Sequence, residues 1–208
     1  MIKLIGVTLG KFLLIASIVF SENALSQSFE QDIVLAAIDQ THHNVRYDGS
    51  YFSIAYPNGD VPANVGVCSD VVIRSYRKLG VDLQVLVHED MVKNFRGYPS
   101  KKLWGLSSTD RNIDHRRVPN LQVFFSRHGK ALPVTDQGQD YAPGDIVTWM
   151  LPGNLPHIGI VTDKTALGTG RPLIVHNIGA GPKLEDMIFA YKITGHYRYQ
   201  PKKYRNKR

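Results

Sequence analysis

The chain has 208 residues, enough for one compact domain, and its 43% apolar and 21% charged content is that of an ordinary globular protein, which excludes a disordered or fibrous chain. Formal charge is +7, yet no stretch interleaves aromatic and basic residues as nucleic-acid readers do, so nucleic acid is set aside as a partner. A single cysteine rules out an internal disulfide.

The first residues read as a secretory leader. Lys3 and Lys11 are basic, the apolar run Phe12-Leu13-Leu14-Ile15-Ala16-Ser17-Ile18-Val19-Phe20 is too short to span a bilayer, and Ala24-Leu25-Ser26 offers small residues to a signal peptidase. Cleavage before Gln27 is predicted. It leaves a single α+β domain over 27–200 and a basic tail over 201–208, and lowers the charge to +6 because Lys3, Lys11 and Glu22 depart. The mature chain is expected in the periplasm, with no stable membrane insertion. A lone thiol in an oxidising compartment is either buried or used.

In chain order, Phe29 to Gln40 is predicted as an opening helix. The pair His42-His43 is taken as its polar end, favoured by the helix dipole, rather than as a metal site. Val45 to Tyr56, rich in Tyr and Phe, is expected to be partly extended. Turn formers over 56–62 lead into Gly66-Val67-Cys68-Ser69-Asp70-Val71-Val72. From there Val67, Val71, Val72, Tyr76 and Leu79 recur with helical spacing, and Gly80 marks the end. Cys68 therefore sits at a helix N-terminus, where free backbone N–H groups and the macrodipole favour a thiolate. Val81 to Val87 fits a strand or the start of the next helix. The segment from Arg96 to Arg117 reads as a polar loop in which Asp114-His115-Arg116-Arg117 collects an acid, an imidazole and two guanidinium groups, a candidate contact for a carboxylate-bearing substrate. Leu121-Gln122-Val123-Phe124-Phe125 is predicted as a strand. The C-terminal half reads as strands at 146–150, 157–163, 173–177 and around Tyr197 and Tyr199. Short turns between them imply antiparallel pairing, and helices followed by an antiparallel sheet make an α+β chain.

A thiolate nucleophile needs a base and a group that orients it. His157 starts one strand and His176 ends the next, so antiparallel pairing makes them cross-strand neighbours on one face. The Cys68 helix is expected to pack across that face. Cys68, His157 and His176 are the predicted nucleophile, base and orienting group.

These residues carry a resemblance. Tyr56 through Tyr76, His157-Ile158-Gly159-Ile160, Val175-His176 and Pro143-Gly144-Asp145-Ile146-Val147 resemble the NlpC-type papain-like cysteine peptidases of bacterial cell walls. Gly66 to Arg74 and Val87-His88-Glu89-Asp90-Met91 resemble an exported bacterial family of unknown function, a divergent branch of that superfamily. Val67 stands where an Asp is usual, Asp70 replaces a small residue, and the segment 84–140 is longer than in typical members.

The resemblance implies a papain-like NlpC-type fold and a periplasmic cysteine peptidase or amidase that needs no metal or organic cofactor. It would act on peptidoglycan stem peptides or a related cell-envelope amide. It places Tyr56 in the oxyanion hole and makes Asn177 the rival of His176. Asp70, His115 and Arg116 are candidate substrate contacts in the rebuilt pocket. A non-catalytic binding module on the same fold, or an acyltransferase using the same triad, are the competing expectations.

Overall fold

The computed structural model describes residues 28–205. The leader, its cleavage point and the last three residues of the basic tail lie outside the described residues. Helix α1 (Phe29–Gln40) is closed at its start by a capping box, in which Gln31 N–H donates to Ser28 Oγ at 3.2 Å and Ser28 N–H to Gln31 Oε1 at 3.0 Å. Helix α2 (Cys68–Lys78) follows Val67, which has no side-chain oxygen to cap it. Asp70 supplies one instead: its Oδ2 accepts from the Val67 N–H at 2.7 Å, and its charge suits the positive end of the dipole. The α2 face bearing Val71, Val72 and Tyr76 is buried against α1 and the sheet, with the Tyr76 hydroxyl donating to the Tyr199 carbonyl at 2.8 Å.

One open reading is settled and one predicted element is corrected. The ambiguous stretch after Gly80 is helix α3 (Leu83–Asn94), started by Asp82, whose side chain accepts from Gln84 and Val85 N–H. The predicted strand at 121–125 is helix α5 (Val118–His128). Its apolar residues Val118, Leu121, Phe124 and Phe125 fall on one buried helical face, and Pro119 sits in the first turn where its missing N–H costs nothing. Between them the polar segment holds a short α4 (Ser100–Trp104) and a 3-10 turn at Asp114–Arg116. The start of the basic tail is not free: α6 (Lys202–Arg205) brings the Tyr204 hydroxyl to the Leu79 carbonyl at 2.6 Å and its ring to Phe29.

Strands β1 (Arg46–Tyr47) and β2 (Val65–Gly66) form a small parallel pair, Tyr47 opposite Gly66. The main sheet holds β3 (Lys130–Ala131), β4 (Ile146–Leu151), β5 (Leu155–Thr165), β6 (Pro172–His176), β7 (Lys183–Glu185) and β8 (Lys192–Arg198) in the order β3-β8-β4-β5-β6-β7, antiparallel throughout. The chain is thus α+β, as predicted.

Side chains alternate across this sheet. Ile146, Ile158, Ile160 and Val175 join the helices in one core, whereas Val147, Trp149, Val161 and Ile174 pack on the other side with Tyr141, Met187 and Ile188. The turn into β4 is anchored by Asp145, fully buried, which takes His196 at 2.9 Å and a two-point ion pair from Arg198 at 2.6 and 2.8 Å.

Candidate functional site

Cys68 opens α2 and is 5% exposed. Backbone N–H groups of Ile158, Ser69 and Cys68 itself favour its thiolate form. The Ile158 contact is possible because the β5–β6 ladder ends at the pair Gly159–His176, one residue short of Ile158. Burial pushes the thiol up to about 12, the three N–H groups oppose that shift, and Asp70 adds to it.

His157 and His176 are brought together: His157 Nε2 lies 3.0 Å from His176 Nδ1, their rings edge to face. The register places His176 opposite Gly159 and His157 opposite Trp149, whose ring lies 5.9 Å away. Both histidines therefore occupy the side of the sheet turned away from the helices. The expected packing of the Cys68 helix across their face is corrected accordingly. Cys68 meets β5 through the main chain of Ile158, the residue next to His157, and among the described residues no hydrogen bond joins its sulfur to His157. Burial, with His176 adding to it, lowers His157 to about 3. Burial also lowers His176, opposed by Glu185. Both rings are thus neutral at neutral pH.

Glu185, on β7, was not foreseen. Its Oε2 lies 3.0 Å from His176 Nε2, extending the pair into a chain of three. A three-residue strand, Lys183-Leu184-Glu185, leaves too short an alternation to announce it.

Asn177 turns elsewhere. Its amide nitrogen donates to the Gly66 carbonyl at 3.5 Å, while its oxygen accepts from Gly179 N–H at 3.0 Å. Asp70 and Arg116, expected as substrate contacts, are spent on each other in a two-point buried ion pair with both distances 2.9 Å. Arg116 also reaches the Ser50 carbonyl at 3.3 Å, and its own carbonyl accepts from Ser69 Oγ at 2.7 Å. His115 is buried beside them, lowered to about 3 by burial and by Arg116 and Arg77, with no partner for its Nδ1. The turn carrying His115 and Arg116 packs against α2.

Tyr56 does not reach the thiol's surroundings: its ring sits edge-on to His88 of α3, with Arg111 over its face, and the charges that act on it are Glu89, Asp82 and Arg111. Tyr47, not Tyr56, is the tyrosine on which Cys68 acts. Tyr47 pairs with Gly66, and Cys68, Asp70 and Arg116 all act on its phenol, which burial raises first and Cys68 next. One tyrosine in a run holding Tyr47, Tyr51 and Tyr56 gives no sequence sign of being the one.

Among the described residues no three His, Cys, Asp or Glu side chains are grouped to hold a metal ion, and no helix is long and apolar enough to cross a membrane. Residues 34–199 match the family model described as "Domain of unknown function (DUF1287)". The chain is also 56% identical over 153 residues to "Uncharacterized protein YijF" of Escherichia coli (strain K12), an alignment covering 74% of this chain and 73% of that one. With the family model spanning most of its length and both cores of its fold, the chain belongs to the DUF1287 family of domains of unknown function.

Proposed function

We propose that this protein is an exported cysteine peptidase or amidase on a papain-like NlpC-type fold, with Cys68 as nucleophile, His157 as base and His176 as the group that orients it. One observation carries the reading: two buried histidines, hydrogen-bonded to each other at 3.0 Å, end beside Ile158, the strand residue whose N–H acts on the sole cysteine at a helix N-terminus. In the resting site thiol and imidazole are both neutral. Past the end of the β5–β6 ladder, where no strand separates the two faces, the His157 ring turns to Cys68 and takes its proton as sulfur bonds to the substrate carbonyl. His157 then gives that proton to the leaving amine as the C–N bond breaks, and water, deprotonated by His157, releases the acyl group from sulfur. Backbone N–H groups at the start of α2 and the Tyr47 hydroxyl are the nearest donors for the developing oxyanion. Peptidoglycan stem peptides or a related periplasmic envelope amide are the proposed substrates.

A second reading, a binding module without turnover, is favoured by the buried thiol and the missing Cys68–His157 bond. The pH dependence of Cys68 alkylation, compared between the native protein and His157→Ala, separates the two. Labelling at neutral pH that falls at least about tenfold in His157→Ala establishes the pair and is expected to accompany cleavage of stem peptides that Cys68→Ala abolishes. Labelling confined to alkaline pH and indifferent to His157 overturns the hydrolase in favour of the binding module.

A further inference from the structure

The hydrogen-bonded chain does not stop at the two histidines, and its far end fixes where the protons lie. A carboxylate can only accept, so at 3.0 Å from Glu185 Oε2 the Nε2 of His176 must carry hydrogen. With Nε2–H in place and the ring neutral, His176 Nδ1 is a bare lone pair. His157 Nε2, 3.0 Å from that lone pair, must then be the donor. His157 is left with its Nδ1 unprotonated, the form in which an imidazole can accept a proton.

We propose that Glu185 is a positioning residue that selects the Nε2–H tautomer of His176 and, through it, the Nε2–H tautomer of His157, keeping His157 Nδ1 ready as a base. The proposal rests on the hydrolase reading for its purpose, though not for its geometry. Without the carboxylate either tautomer of His176 satisfies the His157 contact, because donor and acceptor simply exchange. Some molecules would then hold the His157 proton on Nδ1, where it blocks base action. Glu185 touches neither the sulfur nor a reacting atom. The groups facing His176 from the neighbouring strands are His157 on β5 and, on β7, Glu185 together with Lys183, the residue directly opposite it. Of these only Glu185 is a fixed acceptor. Its side chain is 45% exposed, so its replacement leaves the core intact.

The test is two-bond nitrogen–proton NMR of the histidine rings in the whole chain labelled with isotopic histidine, run on the native protein, Glu185→Gln and Glu185→Asp, with the unfolding midpoint as a control. Native protein is expected to show Nε2–H at both His157 and His176. Glu185→Gln, whose amide can donate as well as accept, is expected to raise the Nδ1–H form of both rings about tenfold, with an unchanged unfolding midpoint. Glu185→Asp is expected to hold the native pattern in part. Appreciable Nδ1–H in the native protein, or tautomers that do not move in Glu185→Gln, overturns the proposal. Cys68 alkylation on the same samples reads the hydrolase separately. A rate blind to His157→Ala rejects that reading while the ring tautomers still decide the role of Glu185.

Discussion

Asp70 and Arg116 show how far a single residue's chemistry depends on what folds onto it. Read along the chain, each is a charge beside a candidate site. In the fold they are 46 positions apart and bound to each other with side chains 3% and 4% exposed. Nothing periodic in a sequence marks such a pair, which is why both were legible as charges and neither as a partner. Removing one member of a buried pair strands the other, so Asp70→Asn is expected to cost about 3–5 kcal/mol of unfolding free energy, whereas Asp70→Leu combined with Arg116→Met recovers most of it. Denaturant titration of the single and double variants checks this. A cost near zero in the single variant would return the pair to the role of adaptable substrate contacts.

At the scale of elements, the strands that carry the histidines were legible because turns at Pro143-Gly144 and Pro152-Gly153 frame them and their apolar residues alternate. Helix α5 was not, since Val123, Phe124 and Phe125 favour strands as much as helices, and only burial of Leu121, Phe124 and Phe125 on one side decides the matter. Register explains the glycine in His157-Ile158-Gly159-Ile160. A Cβ there would lie 2.7 Å from Ile174 Cγ2 and 2.9 Å from the Val175 carbonyl, so β6 can approach β5 only over a bare backbone. Gly159→Ala is expected to destabilise the fold by about 1–3 kcal/mol. It should also separate the rings that face each other across it, seen as loss of the His157–His176 coupling in the ring NMR spectrum. A variant as stable as the native protein would show that β6 yields freely.

For the whole molecule, buried histidines set the response to acid. His115 and His157 are held to about 3 and His176 is lowered too, all chiefly by burial. Unfolded, each returns to about 6.5. The unfolded chain thus binds more protons below that value, and the stability is complete above about 6.5 and lost as pH falls toward 3. Unfolding free energy measured at pH 7 and pH 5 is expected to drop by about 1–2 kcal/mol for each of His115 and His157, with His115→Gln removing one share. Asp90 adds a later loss. Burial opposes its ionisation, but Arg127, Tyr98 and His128 hold its carboxyl down to about 2, and that contribution disappears between about 4 and 2. A stability profile flat from pH 7 to 5 would contradict the burial of these rings.

The polar middle segment, which reads as a loop, is fastened at several points. Ser69 holds the Arg116 carbonyl, Arg116 holds Asp70, Gln84 bridges the carbonyls of Ala55 and Arg111, and Tyr51 engages Asp110 and Asn112. The rim beside Cys68 is therefore stationary masonry. On the hydrolase proposal, a substrate of the right contour would lose little entropy to ordering the host, and one of the wrong contour would be refused outright rather than accommodated.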